Sequence, residues 1–214
     1  MKALLKMLLG LAMTIAILVA LLTAARAASV GSITGALLSL PRFTLDTESE
    51  AERTARMHAV AEASARAVNR AVCAGPWAKD DKCVRVWPGK SRDLLAAMIA
   101  LGYHETRYSQ AVQEGRCDEL PKGMQCDHGH ARGLWQQWET ACPEMWKTAP
   151  GSAEELEASA WCAATLLSRS YVVCSSDGEG DAWAGAFGRY GARGCSWPGG
   201  KSRAATMRRV ALKL

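Results

Sequence analysis

Leu94, Met98 and Leu101 recur at helical spacing in "SRDLLAAMIALGYH", and the same stripe, carried on by four residues, reaches Glu105. A carboxyl group half-buried on the apolar end of a helix holds its proton more tightly, because desolvation disfavours its charged form. That suits it to donate a proton near neutral pH, the requirement for a general acid at a glycosidic oxygen. Metalloprotease chemistry is excluded, since H-E-x-x-H needs a second histidine where Tyr108 stands. A structural carboxylate at the edge of the stripe, paired with Arg107 or Arg116, remains the plain alternative.

The next chemistry-bearing stretch is "DHGHARGLWQQWE", residues 127 to 139. A helix ending in glutamate, a loop with an aspartate, and then Gly-Leu-aromatic-Gln together resemble the goose-type lysozymes and the related soluble lytic transglycosylases. Those families run Glu-Ser at a helix end and then Gly-Leu-Met-Gln. Here the matching residues are Glu105-Thr106 and Gly133-Leu134-Trp135-Gln136. Their later Ala-x-x-x-Tyr-Asn-Ala-Gly element is similar to "AFGRYGARG", with Tyr190 in the tyrosine position and Gly191 where asparagine is usual. The likeness spans roughly residues 90 to 195. Thr106, Trp135 and Gly191 depart from the pattern in ways that affect the shape of the groove and leave the acid in place.

The resemblance implies a mainly α, lysozyme-like domain that cleaves the β-1,4 bond between N-acetylmuramic acid and N-acetylglucosamine in peptidoglycan. It implies Glu105 as general acid and no cofactor or metal. Gly133, Leu134, Trp135, Gln136, Trp138 and Tyr190 are the implied substrate-binding residues, with Gln136 and Tyr190 bonding to N-acetyl groups or to the glutamate. Asp127 matches the loop aspartate that positions the attacking water in the hydrolases. A second family aspartate falls on Trp138, with Glu139 one place late. Hydrolysis by Glu105 and Asp127 is the favoured reading. The rival is transglycosylation, which needs only the glutamate because the muramic 6-hydroxyl attacks and leaves a 1,6-anhydro product. A non-catalytic wall-binding or scaffold module is the third reading. For Asp127 the plain alternative is a capping loop aspartate, and Asp118 is a weaker candidate base.

Eight tryptophans in the chain fit a saccharide groove, but only two phenylalanines are present, so tryptophan must also fill the core. Trp77, Trp87, Trp161 and Trp183 read as packing, while Trp135 and Trp138, beside the motif, read as groove residues.

The elements expected to position these residues are helices at about 91 to 108, 133 to 146, 152 to 171 and 180 to 189. Ser91 and Ser202 each follow a Trp-Pro-Gly turn and read as N-caps, and Ser152 with Glu155 reads as a capping box. That single recurrence of Trp-Pro-Gly does not make a repeat protein. Upstream, residues 28 to 46 read as a linker with Gly31, Gly35 and Pro41. Residues 47 to 71 read as an amphipathic helix opened by Thr47 and Glu50, packing along the flank of a domain from 72 to 214; His58 on it reads as a surface residue. Strand-like alternation is almost absent, so the class is mainly α with irregular, disulfide-tied loops.

The N-terminus sets the compartment. Lys2 and Lys6, an apolar run from Met7 to Ala25, and Ala25-Arg26-Ala27 read as an export signal over residues 1 to 27. The run is also long enough for an uncleaved membrane anchor through residues 7 to 25. The chain is therefore expected to be periplasmic or secreted. All eight cysteines follow this segment, an even count that favours disulfides. No C-x-x-C occurs, and His128 and His130 stand too close for a usual zinc finger. Cys117 and Cys126 each precede one of the loop aspartates, so a bridge between them would fix that loop; other pairings stay open. Losing Lys2, Lys6 and Arg26 takes the formal charge from +5 to +2, too little to argue for nucleic acid. "KSRAATMRRVALKL" at the C-terminus is basic without acids, either a solvated last helix or a contact to an anionic envelope polymer. No specific protein partner is inferable.

Overall fold

In the computed structural model, eight helices are seen among the described residues, which are 30–73, 90–121, 126, 129–176 and 180–214. The export segment 1 to 27 with its candidate anchor, Trp77, Cys83, Trp87, Asp127 and His128 lie outside the described residues, as does the side chain of Cys73. The class is mainly helical; no strand occurs among the described residues, only an isolated bridge between Arg132 and Gln137.

The first correction concerns the expected linker. Residues 30–38 form α1, and Ile33, Ala36 and Leu37, spaced by three and four, are buried in the core. Gly31 and Gly35 did not prevent a helix, because tertiary burial of the apolar face outweighs about 1 kcal/mol of propensity per glycine.

α2 (Glu50–Cys73) starts later than expected. Its capping box is Ser49 with Glu52: the Ser49 amide donates to Glu52 Oε2 at 2.7 Å, and the Glu52 amide to Ser49 Oγ at 3.2 Å. The stripe of Met57, Val60, Ala61, Ser64 and Val68 is buried against α3 and α6, so the helix shares the central core and is no mere flank. His58 is exposed, as expected, and pairs with Glu62 at 3.8 Å.

α3 (Ser91–Thr106) is sunk in the core, with α2, α6 and α8 packed against it. Leu94 and every residue from Ala96 to Leu101 are fully buried. A helix apolar on all sides belongs inside, and burying each of Leu94, Met98, Ile99 and Leu101 contributes about 1.5–3 kcal/mol. Its N-cap is Lys90, so Ser91 is the first helical residue and makes no cap. The helix stops at Thr106, since Arg107 and Tyr108 take left-handed φ of 51° and 56°. Tyr108 then folds back, donates its hydroxyl to the Ile99 carbonyl at 3.1 Å, and lays its ring on Gly102. A Cβ at 102 would come 2.7 Å from that ring, so the site needs glycine.

The expected helix over 133 to 146 is largely absent. Residues 133–136 are a turn closed by paired Arg132 and Gln137 amide bonds (3.1 and 2.9 Å), and only α5 (Pro143–Trp146) is helical, after the short α4 (Gln110–Gln113) and a 3₁₀ turn at Cys117–Glu119. Gly133 at φ 71° and Gln136 at φ 48° are the cause, because left-handed residues cannot continue a right-handed helix. α6 (Ala153–Ser176) opens with the expected cap, the Glu155 amide donating to Ser152 Oγ at 3.1 Å. Glu155 also accepts from the Gly151 amide at 2.6 Å and from Arg132 Nε at 2.9 Å, which ties the turn to α6. α7 (Ala182–Tyr190) is capped by Asp181, and α8 (Gly199–Ala211) begins with Gly200 against the Ala184 carbonyl, leaving Ser202 inside the helix and not at its cap.

Among the described residues three disulfides bind the loops: Cys117–Cys126, Cys142–Cys162 and Cys174–Cys195, with Cα atoms 5.6, 6.0 and 5.5 Å apart. They indicate an oxidising compartment. None of the described helices is long and apolar enough to cross a membrane.

Candidate active site

Glu105 is the last but one residue of α3, where the stripe runs out of the core and into a cleft of about 620 Å³. The cleft is walled by the 136–141 segment on one side and by the residues following α7 on the other. The Glu105 side chain is 20 % exposed. Burial raises its pKa above the ordinary glutamate value, opposed by the charge and the hydrogen bond of Arg203. That arginine, from α8, donates through Nη1 to Glu105 Oε1. Neither Arg107 nor Arg116 serves as the partner: Arg107 stacks over Tyr103, and Arg116 pairs with Glu114 and Glu119. Among the described residues lining the cleft, Glu105 is the sole carboxylate.

The turn that follows divides the expected binding residues in two. Gly133, Leu134 and Trp135 are buried and do not line the cleft, which corrects the expectation that they hold substrate. The positive φ at Gly133 turns the chain inward, so Leu134 and Trp135 fill the core, and the Trp135 indole N–H donates to the Met98 carbonyl at 2.9 Å. A Cβ on Gly133 would stand 2.7 Å from Ser159 Oγ. Thr106, beside the glutamate, donates its hydroxyl to the Leu134 and Gly102 carbonyls (3.0 and 3.1 Å), welding the end of α3 to the turn. Threonine in place of serine keeps that hydroxyl.

Gln136, Trp138 and Tyr190 do line the cleft. Gln136 bonds the Gly133 carbonyl at 3.0 Å and Cys126 Sγ at 3.3 Å, while Trp138 is 53 % exposed with His130 beside its ring at 6.1 Å between centroids. Tyr190 donates its hydroxyl to the Trp135 carbonyl at 2.9 Å. Burial, and next the Glu105 carboxylate, keep that phenol protonated. Tyr190 thus fastens α7 to the turn under the glutamate. Trp161 and Trp183 are packing residues, under Arg70 and against Tyr171 and Phe187 respectively.

Sequence reasoning missed four side chains of this site. Gln137, beside the motif, is buried and bonds Ser159 through both ends of its amide (2.6 and 2.9 Å), fixing the cleft wall to α6. Trp197 lines the far wall with Arg193 and Arg203 over its ring at 5.4 and 5.3 Å. The second Trp-Pro-Gly was the available signal, but it reads first as a turn. The Cys174–Cys195 bond tethers this wall to α6.

The chain matches no family model, no curated protein and no solved structure. What the site offers chemically is a carboxyl with raised proton affinity in an open cleft, two indole rings on its walls, and two guanidiniums against the Trp197 ring, one of them bonded to the carboxyl. No cluster of His, Cys, Asp and Glu suited to a metal ion occurs among the described residues.

Proposed function

We propose that the chain is a peptidoglycan glycosidase of the lysozyme or lytic transglycosylase type, with Glu105 as the proton donor to the glycosidic oxygen between N-acetylmuramic acid and N-acetylglucosamine. The observation that carries the reading is the place of Glu105: a buried-edge carboxyl, raised in pKa, opening into a cleft whose walls carry Trp138 and Trp197. Indole faces stack on sugar rings, and the cleft is open enough for a chain to lie along it. A binding module gains nothing from desolvating a carboxylate, because that costs free energy which only proton transfer uses.

Proton donation breaks the bond to the leaving sugar and leaves positive charge at the muramic anomeric carbon. Hydrolysis completes the reaction with water, for which the resemblance offers Asp127; transglycosylation completes it with the muramic 6-hydroxyl and no second carboxylate. Gln136 and the Tyr190-fastened turn hold the acid's side of the cleft. Digesting purified peptidoglycan in oxygen-18 water and weighing the products tests the reading. Labelled reducing ends mean hydrolysis and unlabelled 1,6-anhydro products mean transglycosylation. An undigested wall would leave the module reading in its place.

A further inference from the structure

Arg203 is the feature that the glycosidase reading leaves unexplained. An acid that must donate a proton is poorly served by a guanidinium bonded to its carboxylate, since that bond favours the deprotonated form. Yet the fold goes to some length to place the arginine there. Gly200 packs against the Ala184 carbonyl and Gly199 against the Trp197 ring, at positions where no Cβ fits, and so the first turn of α8 is pressed onto α7. The Arg203 side chain is 15 % exposed and its guanidinium lies 5.3 Å from the Trp197 ring centre. Arg193 covers the same ring from the segment bound by Cys174–Cys195. Two guanidiniums against one indole ring, all three side chains lining the cleft, form a seat for a sugar that carries an anion next to its ring.

We propose that Arg203 reads a carboxylate on the substrate: an acidic substituent of the glycan seated at Trp197 engages its guanidinium and releases Glu105 to take up the proton it will donate. The inference rests on the glycosidase reading. The guanidinium has five N–H donors, so a ligand carboxylate can share or take them. In either case the added negative charge stands near Glu105 and favours its protonated form, the proton coming from solvent. A neutral glycan adds no charge there and leaves the Arg203–Glu105 pair closed. The other groups around this pair are the Tyr190 hydroxyl on α7, Arg193 in the tethered segment, and His104 next to Glu105, whose pKa is lowered first by burial and then by the charges of Arg203, Arg107 and Arg209. The His104 Nε2 lies 3.0 Å from the Thr206 hydroxyl on α8.

The test is the carbon-13 titration of the Glu105 carboxyl in the full oxidised protein, alone and with saturating N-acetylmuramic acid or N-acetylglucosamine. The expected result is a Glu105 pKa moved up by about one unit or more with the acidic sugar, no move with the neutral one, and loss of the difference in Arg203→Met. Arg203→Lys, which keeps a cation, restores part of it. A shift of equal size with both sugars, or one that survives Arg203→Met, overturns the proposal, as does no shift with N-acetylmuramic acid. Because this readout involves no turnover, it fails separately from the glycosidase reading, which fails if the parent releases no fragments from peptidoglycan.

Discussion

Replacing Gly133 by alanine tests whether the Gly-Leu-Trp-Gln turn is built as described. The residue sits at φ 71°, where an L side chain costs about 1–2 kcal/mol. The new methyl would also stand 2.7 Å from Ser159 Oγ, the hydroxyl that donates to Gln137 Oε1 at 2.6 Å. Ser159 is buried within α6 and has no room to withdraw, so relieving the clash breaks that bond and strands a buried polar group, at a further ~1–3 kcal/mol. The total expected loss is about 2–5 kcal/mol, less roughly 0.4–1 kcal/mol for the stiffer unfolded chain. Gly194→Ala is the control: φ there is 81°, but a Cβ would meet nothing within 4 Å, so only the backbone cost applies. Urea midpoints of the two variants and the parent, all with disulfides intact, give the comparison. Equal losses in Gly133→Ala and Gly194→Ala would refute the packing of the turn on Ser159.

Replacing Cys174 and Cys195 together by alanine should cost ~3 kcal/mol by loop-closure entropy, seen as a lower thermal midpoint, and should lower wall cleavage at temperatures where the fold survives, because the wall bearing Trp197 is released; an unchanged midpoint would contradict this. For Glu105 the sign of the pH effect is fixed by its raised folded pKa: its contribution is present below the ordinary glutamate range and is lost as pH rises through the raised value. The parent should thus lose stability relative to Glu105→Gln from about pH 4 upward. Unfolding midpoints of both proteins across pH check it, and parallel curves would count against a desolvated carboxyl.

Much of this was legible in the chain, for identifiable reasons. The α3 stripe and the Ser152–Glu155 cap are local patterns, and their geometry follows from spacing alone. The turn at 133–136 reads as a helix in sequence because nothing in its composition reveals that Gln136 adopts φ 48°. In sequence Trp135 reads as a groove residue because of its neighbours, whereas one left-handed glycine sends it into the core. α1 was hidden because its apolar period lasts barely two turns and is interrupted by glycines, and its stability comes from the partners that cover it. Arg203 lies 98 residues from Glu105, and no pattern along the chain joins an acid to a cation at that range.

The central claim is that Glu105 transfers a proton to the bond that breaks, and Glu105→Gln tests it most directly, since the amide keeps the shape and has no such proton to give. Release of soluble fragments from purified peptidoglycan, measured for parent and variant alongside their far-ultraviolet circular dichroism, is the decisive measurement. The expected result is a folded variant whose rate has dropped by ~10³-fold or more. A folded variant that opens the wall as fast as the parent would make Glu105 a structural partner of Arg203 and nothing else.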